Sequence, residues 1–183
     1  MHYKTFSRII FCPTLLIMLL AAAAAGQTRL GEEAAARLQT QADECGRAFI
    51  EGDFERLADY THPKVLEKVG GRAGMIAFLQ KSVGEMKAEG FNIISYVNAA
   101  PTQVLTVGRQ TYAILPATLK ARVPQGVLAS ETFMLAVSAD GGRNWKFVSG
   151  SVADSAKLKL LFPAAAGRLK LPAQRPPVLE PAP

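Results

Sequence analysis

The stretch Ala48-Phe49-Ile50-Glu51-Gly52-Asp53-Phe54-Glu55-Arg56-Leu57-Ala58-Asp59-Tyr60-Thr61-His62-Pro63 constrains the fold of this chain more than any other. Upstream of it, Leu30, Ala34, Leu38, Ala42, Cys45 and Phe49 recur at steps of four, four, four, three and four. That spacing puts them on one apolar stripe of a helix. Gly52 ends this helix, because only glycine enters the left-handed conformation after a last turn at no steric cost. Asp53 then caps a second, short helix through its side-chain oxygen, and Glu55 adds favourable charge to the first turn. Phe54, Leu57, Ala58 and Thr61 face inward. Pro63 is expected to push His62 out of the helical region and stop the element there.

A third helix is expected from about Arg72 to Glu89, with Ile76, Leu79, Val83 and Met86 as its stripe and Gly90 as its stop. Strands follow at Phe91–Asn98, Thr102–Val107, Gln110–Val123, Val127–Ser138 and Asn144–Gly150. Gly108-Arg109, Pro124-Gln125-Gly126 and Asp140-Gly141-Gly142 supply the turns between them. Glu131, Phe133, Leu135 and Val137 share one strand face, and Thr132, Met134 and Ala136 share the other. Both faces are largely apolar, so helices should cover one while a partner or further packing covers the other. Pro116 is expected to mark a bulge or bend in the third strand. The fold class is therefore α+β: a cone-shaped domain with three N-terminal helices packed on a strongly curved, mainly antiparallel sheet.

The pattern Phe49-Ile50-x-Gly52-Asp53-Phe54-x-x-Leu57-Ala58-x-Tyr60, with Gly70-Gly71 before the next helix and Trp145 in the last strand, resembles the nuclear transport factor 2-like superfamily. Its SnoaL-like and ketosteroid isomerase-like branches are included, and the resemblance covers about Gly31 to Ser151. It implies an enclosed pocket and, because relatives often pair through the sheet, a homodimer through the sheet face. Ketosteroid isomerase-like chemistry needs an Asp base and an oxyanion site made by a Tyr and a protonated Asp. The family's Tyr precedes the Gly-Asp break by eight residues, a position held here by Cys45. Its base falls near Val69, with Glu67 two positions away. The sequence argues against that reaction.

The ends of the chain read differently from its middle. In residues 1–26, Lys4 and Arg8 precede an apolar run from Ile9 to Ala25 that closes on Ala23-Ala24-Ala25. This is the pattern of a cleaved signal peptide, and it implies export to a periplasmic or secreted location with no stable membrane insertion after cleavage. Without that segment the chain keeps one cysteine, Cys45, and one histidine, His62, so no internal disulfide can form. Residues 27–162 are expected to form the domain. Residues 163–183 are proline-rich and are expected to be a largely disordered tail.

The net charge of +6 is unevenly spread. From Gly141 to Arg175 there are seven Lys/Arg against Asp154 alone. Such an end suits an envelope interaction module, but its charges are dilute and lack the interleaved aromatics that stack on bases, so nucleic acid is not expected as a partner.

No residue set points to a cofactor or a metal, since one His and one Cys cannot assemble the usual ligands. No Gly-x-Ser-x-Gly elbow is present. Gly70-Gly71-Arg72-Ala73-Gly74 lacks the preceding strand of a phosphate loop and reads as a tight helix entry. The polar residues expected near the mouth of the cone are Tyr60, His62, Tyr96, Tyr112 and Glu131, with Trp145 as a core anchor. The expectation is an exported domain that binds a small apolar ligand or self-associates, without a recognisable catalytic constellation. The alternative is a small cofactor-free enzyme (isomerase, dehydratase or hydrolase type) using His62 or Glu131 as acid or base.

Overall fold

The stripe of the first helix is its buried face. In the computed structural model, which describes residues 29–181, α1 spans Glu32–Glu51 and buries Leu38, Ala42, Cys45, Gly46 and Ala48. Gly52 follows at φ 75°, and its N–H closes onto the Ala48 and Phe49 carbonyls. Asp53 Oδ1 accepts from Arg56 N at 3.0 Å and starts α2, Phe54–Tyr60. The signal-peptide expectation for residues 1–26 lies outside the described residues.

His62 is extended, as expected ahead of Pro63, and Thr61 closes α2; the reading is corrected at Pro63 itself, which opens a further helix, α3, at Pro63–Lys68. His62 is its N-cap: Nδ1 accepts from Lys64 N at 3.2 Å. Proline fits the first helical position because the N–H it lacks has no partner there. α4 then runs Gly71–Ala88. Four helices, rather than three, precede the sheet.

The sheet is strongly curled and antiparallel. Its strands are β1 Asn92–Asn98, β2 Gln103–Val107, β3 Gln110–Val123, β4 Gly126–Ser138, β5 Lys146–Ser149 and β6 Val178–Pro181. The long β3–β4 hairpin is the spine, paired without a break from Thr111↔Ser138 to Val123↔Gly126. β1 and β2 share the free edge of β3, while β5 and β6 share the free edge of β4. Pro116 causes no slip in the pairing with β4. It sits between the stretches of β3 that pair with β1 and β2, where its carbonyl accepts from Ala99 N at 2.8 Å. A residue without an N–H is tolerated at such a gap in the ladder. The register shift lies instead in β1, between Ile93 and Ser95.

Alternation along β3 and β4 divides the core between the two faces. Ala113, Leu115, Met134 and Ala136 meet the helices, together with Leu38, Cys45, Leu57 and Trp145. Tyr112, Ile114, Phe133, Leu135 and Val137 point the other way. That second face is covered by the chain itself: α5, Ser155–Leu161, and the segment after it bring Leu158, Phe162, Ala165 and Leu169 onto it. The tail therefore departs from the expectation for residues 163–183. Ala165 is fully buried, Gln103 exchanges two hydrogen bonds with the Lys170 backbone, and β6 pairs with β4 over Gly126–Ala129. Prolines prevent a helix here without preventing a segment from lying extended against a sheet. Among the described residues no helix is long and apolar enough to cross a membrane.

Candidate functional site

Between the helices and the sheet lies a cavity of about 280 Å³. α1 contributes Cys45, Gly46 and Phe49 to it, and α4 contributes Met75, Phe78 and Leu79. Tyr96, Met134 and Phe147 form its floor, Val65 and Val69 of the α3 segment close one side, and Ser149, Ser151 and Val152 close another. Local sequence explains the arrangement. The α1 stripe turns Cys45 and Phe49 toward the sheet, and the period-two alternation of β1 sends Tyr96 up to meet them. Thr61 forms a parallel bridge with Phe147, and His62 N donates to the Phe147 carbonyl at 3.0 Å, so α2 and α3 are pinned to β5 beside the cavity.

Among the described residues no charged side chain lines this cavity. Its hydroxyls are mostly committed: Thr61 Oγ1 donates to the Leu57 carbonyl at 2.9 Å, and Ser149 and Ser151 Oγ pair at 2.8 Å. Burial pushes the Cys45 thiol up to about 12 and raises the Tyr96 phenol above its ordinary range. Both groups are therefore neutral donors at neutral pH. The site offers apolar surface, a thiol and a phenol.

Of the five polar residues expected near the mouth of the cone, Tyr96 alone lines this cavity. Tyr60 lies outside it, with its hydroxyl hydrogen-bonded to the Glu44 carboxylate, which Arg56 also approaches at 3.4 Å. Burial and then the Glu44 hydrogen bond raise the Tyr60 phenol, while that same bond holds Glu44 below the usual carboxylate range. His62 is 9% exposed, with its ring edge-on to Phe162. Its ring serves as the cap of α3, and burial with Lys64 and Lys146 nearby lowers its pKa to about 4.

Tyr112 is buried on the opposite sheet face, where its hydroxyl donates to Gln110 Oε1 at 2.5 Å. Glu131 shares that face but is exposed and pairs with Arg175 at 3.0 Å. It borders a separate open groove of about 490 Å³ between Val97, Pro116, Thr118 and the Pro172–Arg175 segment. His62 and Glu131 do not converge. His62 bonds the strand residue paired with Ala136, and Ala136 is about 16 Å from Glu131 at the usual rise of a strand. Trp145 is a core anchor, 1% exposed, with Nε1 donating to the Gly142 carbonyl at 3.0 Å.

Sequence reasoning placed Cys45 and Phe49 on the correct helix face but did not foresee that they would share a cavity with Tyr96 and Met75. The one signal available was Gly46, a small residue inside an otherwise good helix. The chain matches no protein-family model, no curated protein and no solved structure.

Proposed function

We propose that this domain binds a small apolar ligand in the cavity between α1–α4 and the concave side of the sheet. The observation that carries the reading is the lining itself: apolar walls from four helices and three strands, no charge among the described residues, and almost every hydroxyl already paired. Small-molecule sites are typically concave and apolar with few polar anchors, at volumes of roughly 300–1,000 Å³. This cavity, at about 280 Å³, falls just below that range, which favours a compact ligand. The helix-first order and the curled sheet are compatible with a nuclear transport factor 2-like domain. The leader pattern of Lys4, Arg8 and Ile9–Ala25 supports export.

Self-association ranks second. Much of the sheet face reserved for a second copy carries α5 and residues 162–169 of the same chain. The reading as an envelope interaction module is weakened in a similar way. Arg175 and Lys157 are engaged by Glu131 and Asp154, and Lys146 donates to the Asp59 carbonyl.

The test is native mass spectrometry of gently purified protein, beside a Met75→Trp variant whose indole fills the cavity. A small apolar molecule retained by the wild type and lost from a folded Met75→Trp protein is the expected result. A wild type that carries no ligand and takes up no added apolar compound would remove the reading.

A further inference from the structure

Tyr96 is held in place at a cost to the helix above it. A Cβ on Gly46 would approach Tyr96 Cδ1 to 3.0 Å, tighter than an ordinary contact, so a larger residue fits only if the ring gives way by a few tenths of an ångström. Glycine inside a helix is less favourable than alanine by about 1 kcal/mol. Phe49 meets the same ring edge-on, with centroids 6.3 Å apart at 90°. These contacts fix the ring but make no use of its oxygen. The hydroxyl is not sealed away: among the described residues Asn98 Oδ1 alone is a buried polar side-chain atom without a partner, so the Tyr96 oxygen stays reachable by water or by a ligand in the cavity.

The other polar groups of the cavity differ. Thr61 bonds Leu57, and the two serine hydroxyls bond each other, whereas Tyr96 Oη has no hydrogen bond to a described residue. Burial keeps the phenol and the neighbouring Cys45 thiol protonated, so what they present is donor capacity. With no charged residue in the lining among the described residues, nothing compensates a charged ligand for the water it would lose.

We infer that the cavity selects neutral, compact apolar molecules that carry one hydrogen-bond acceptor, such as a ketone or ester carbonyl, and that the Tyr96 hydroxyl is the specificity-determining group that meets it. This rests on the ligand reading of the cavity.

Three probes of similar shape test it by equilibrium dialysis: 2-acetylnaphthalene, 2-ethylnaphthalene and 2-naphthoate, against wild type and Tyr96→Phe. The wild type should bind the ketone about three- to tenfold more tightly than the hydrocarbon, the margin of one net hydrogen bond. The carboxylate should bind about tenfold or more weakly than the ketone. Tyr96→Phe should bind the ketone and the hydrocarbon alike, with the hydrocarbon's affinity unchanged from wild type. Equal binding of ketone and hydrocarbon by the wild type, or a ketone preference that survives Tyr96→Phe, overturns the role of Tyr96 and leaves the cavity standing as an apolar site. Tightest binding of the carboxylate overturns the neutral class. Failure of all three probes to bind removes the ligand reading and this inference together.

Discussion

The imidazole of His62 stands edge-on to the ring of Phe162, with centroids 4.8 Å apart and planes at 84°. This contact joins the start of α3, on the cavity side, to the segment that covers the opposite sheet face. Lys64 strengthens the junction: its Nζ donates to the Leu161 carbonyl at 2.6 Å and lies 5.4 Å from the Phe162 ring centre. Residues distant in sequence thus meet at the exit of α2.

Acid should loosen this junction. An imidazole in the unfolded chain takes up a proton near pH 6.5, whereas folded His62 does so only near pH 4. Between those values the unfolded state binds more protons, so stability is full above pH 6.5 and falls as the pH drops toward 4. His62 should account for a loss of about 2–3 kcal/mol over that window. His62→Asn replaces the Nδ1 acceptor with an amide oxygen that also suits an N-cap and does not titrate, so its urea midpoint should vary less with pH than that of the wild type. Parallel profiles for the two proteins would refute the assignment.

One substitution made at two glycines should give opposite results. Gly84 on α4 has open space where a Cβ would go, so Gly84→Ala should stabilise by about 0.5–1 kcal/mol. Gly46→Ala gains the same helix preference but must displace the Tyr96 ring. It should be destabilising by about 1 kcal/mol or more, the usual range for overpacking. Urea denaturation of both variants checks the pair, and stabilisation of both would show that the Tyr96 ring yields freely.

Cys45 should be inert despite being the only cysteine among the described residues. It is 5% exposed and its thiol is pushed up to about 12, so almost no thiolate is present at pH 8. Labelling by an aromatic disulfide reagent should be slow in the native protein and immediate in denaturant. Cys45→Ala should cost about 1–2 kcal/mol, the scale of a small cavity. Fast native labelling would mean that the cavity admits the reagent.

The covering segment should behave as core. Phe162 is 2% exposed against His62 and Tyr112. Phe162→Ala should therefore destabilise by about 3–5 kcal/mol. By baring Tyr112, Ile114 and Leu135, it should also raise the sedimentation coefficient with concentration. A change within 0.5 kcal/mol, the usual span for surface sites, would return the segment to the status of a loose tail.

Most of the fold was legible because its signals are local. The β3 strand and the Gly52-Asp53 break fall where periodicity and turn chemistry put them. Pro63 was misread because proline excludes helix before itself while favouring it after, and six residues of α3 carry too little pattern to settle the matter. The packing of Ala165 and Leu169 was missed because the segment after Phe162 was read from its prolines and so taken as unpacked. At the site, the face of Glu131 was read correctly but its environment was not, because Arg175 reaches it from a segment taken as unpacked. The cavity itself joins four helices to one strand face, and apart from Gly46 no local signal points to that meeting.

The shared edge of β4 carries a consequence for the order of assembly. The β3–β4 hairpin closes through a short turn, but β6 reaches Gly126–Ala129 only after β5 and α5 have intervened. Long-range pairing bears a larger loop-closure penalty and forms later than local pairing. During synthesis, that stretch of β4 emerges well before the strand that shields it, leaving unpaired backbone open to foreign strands in the interval. We expect the β4–β6 seam to be the last to zip and the first to fray, and hydrogen exchange should find its amides the least protected of the sheet.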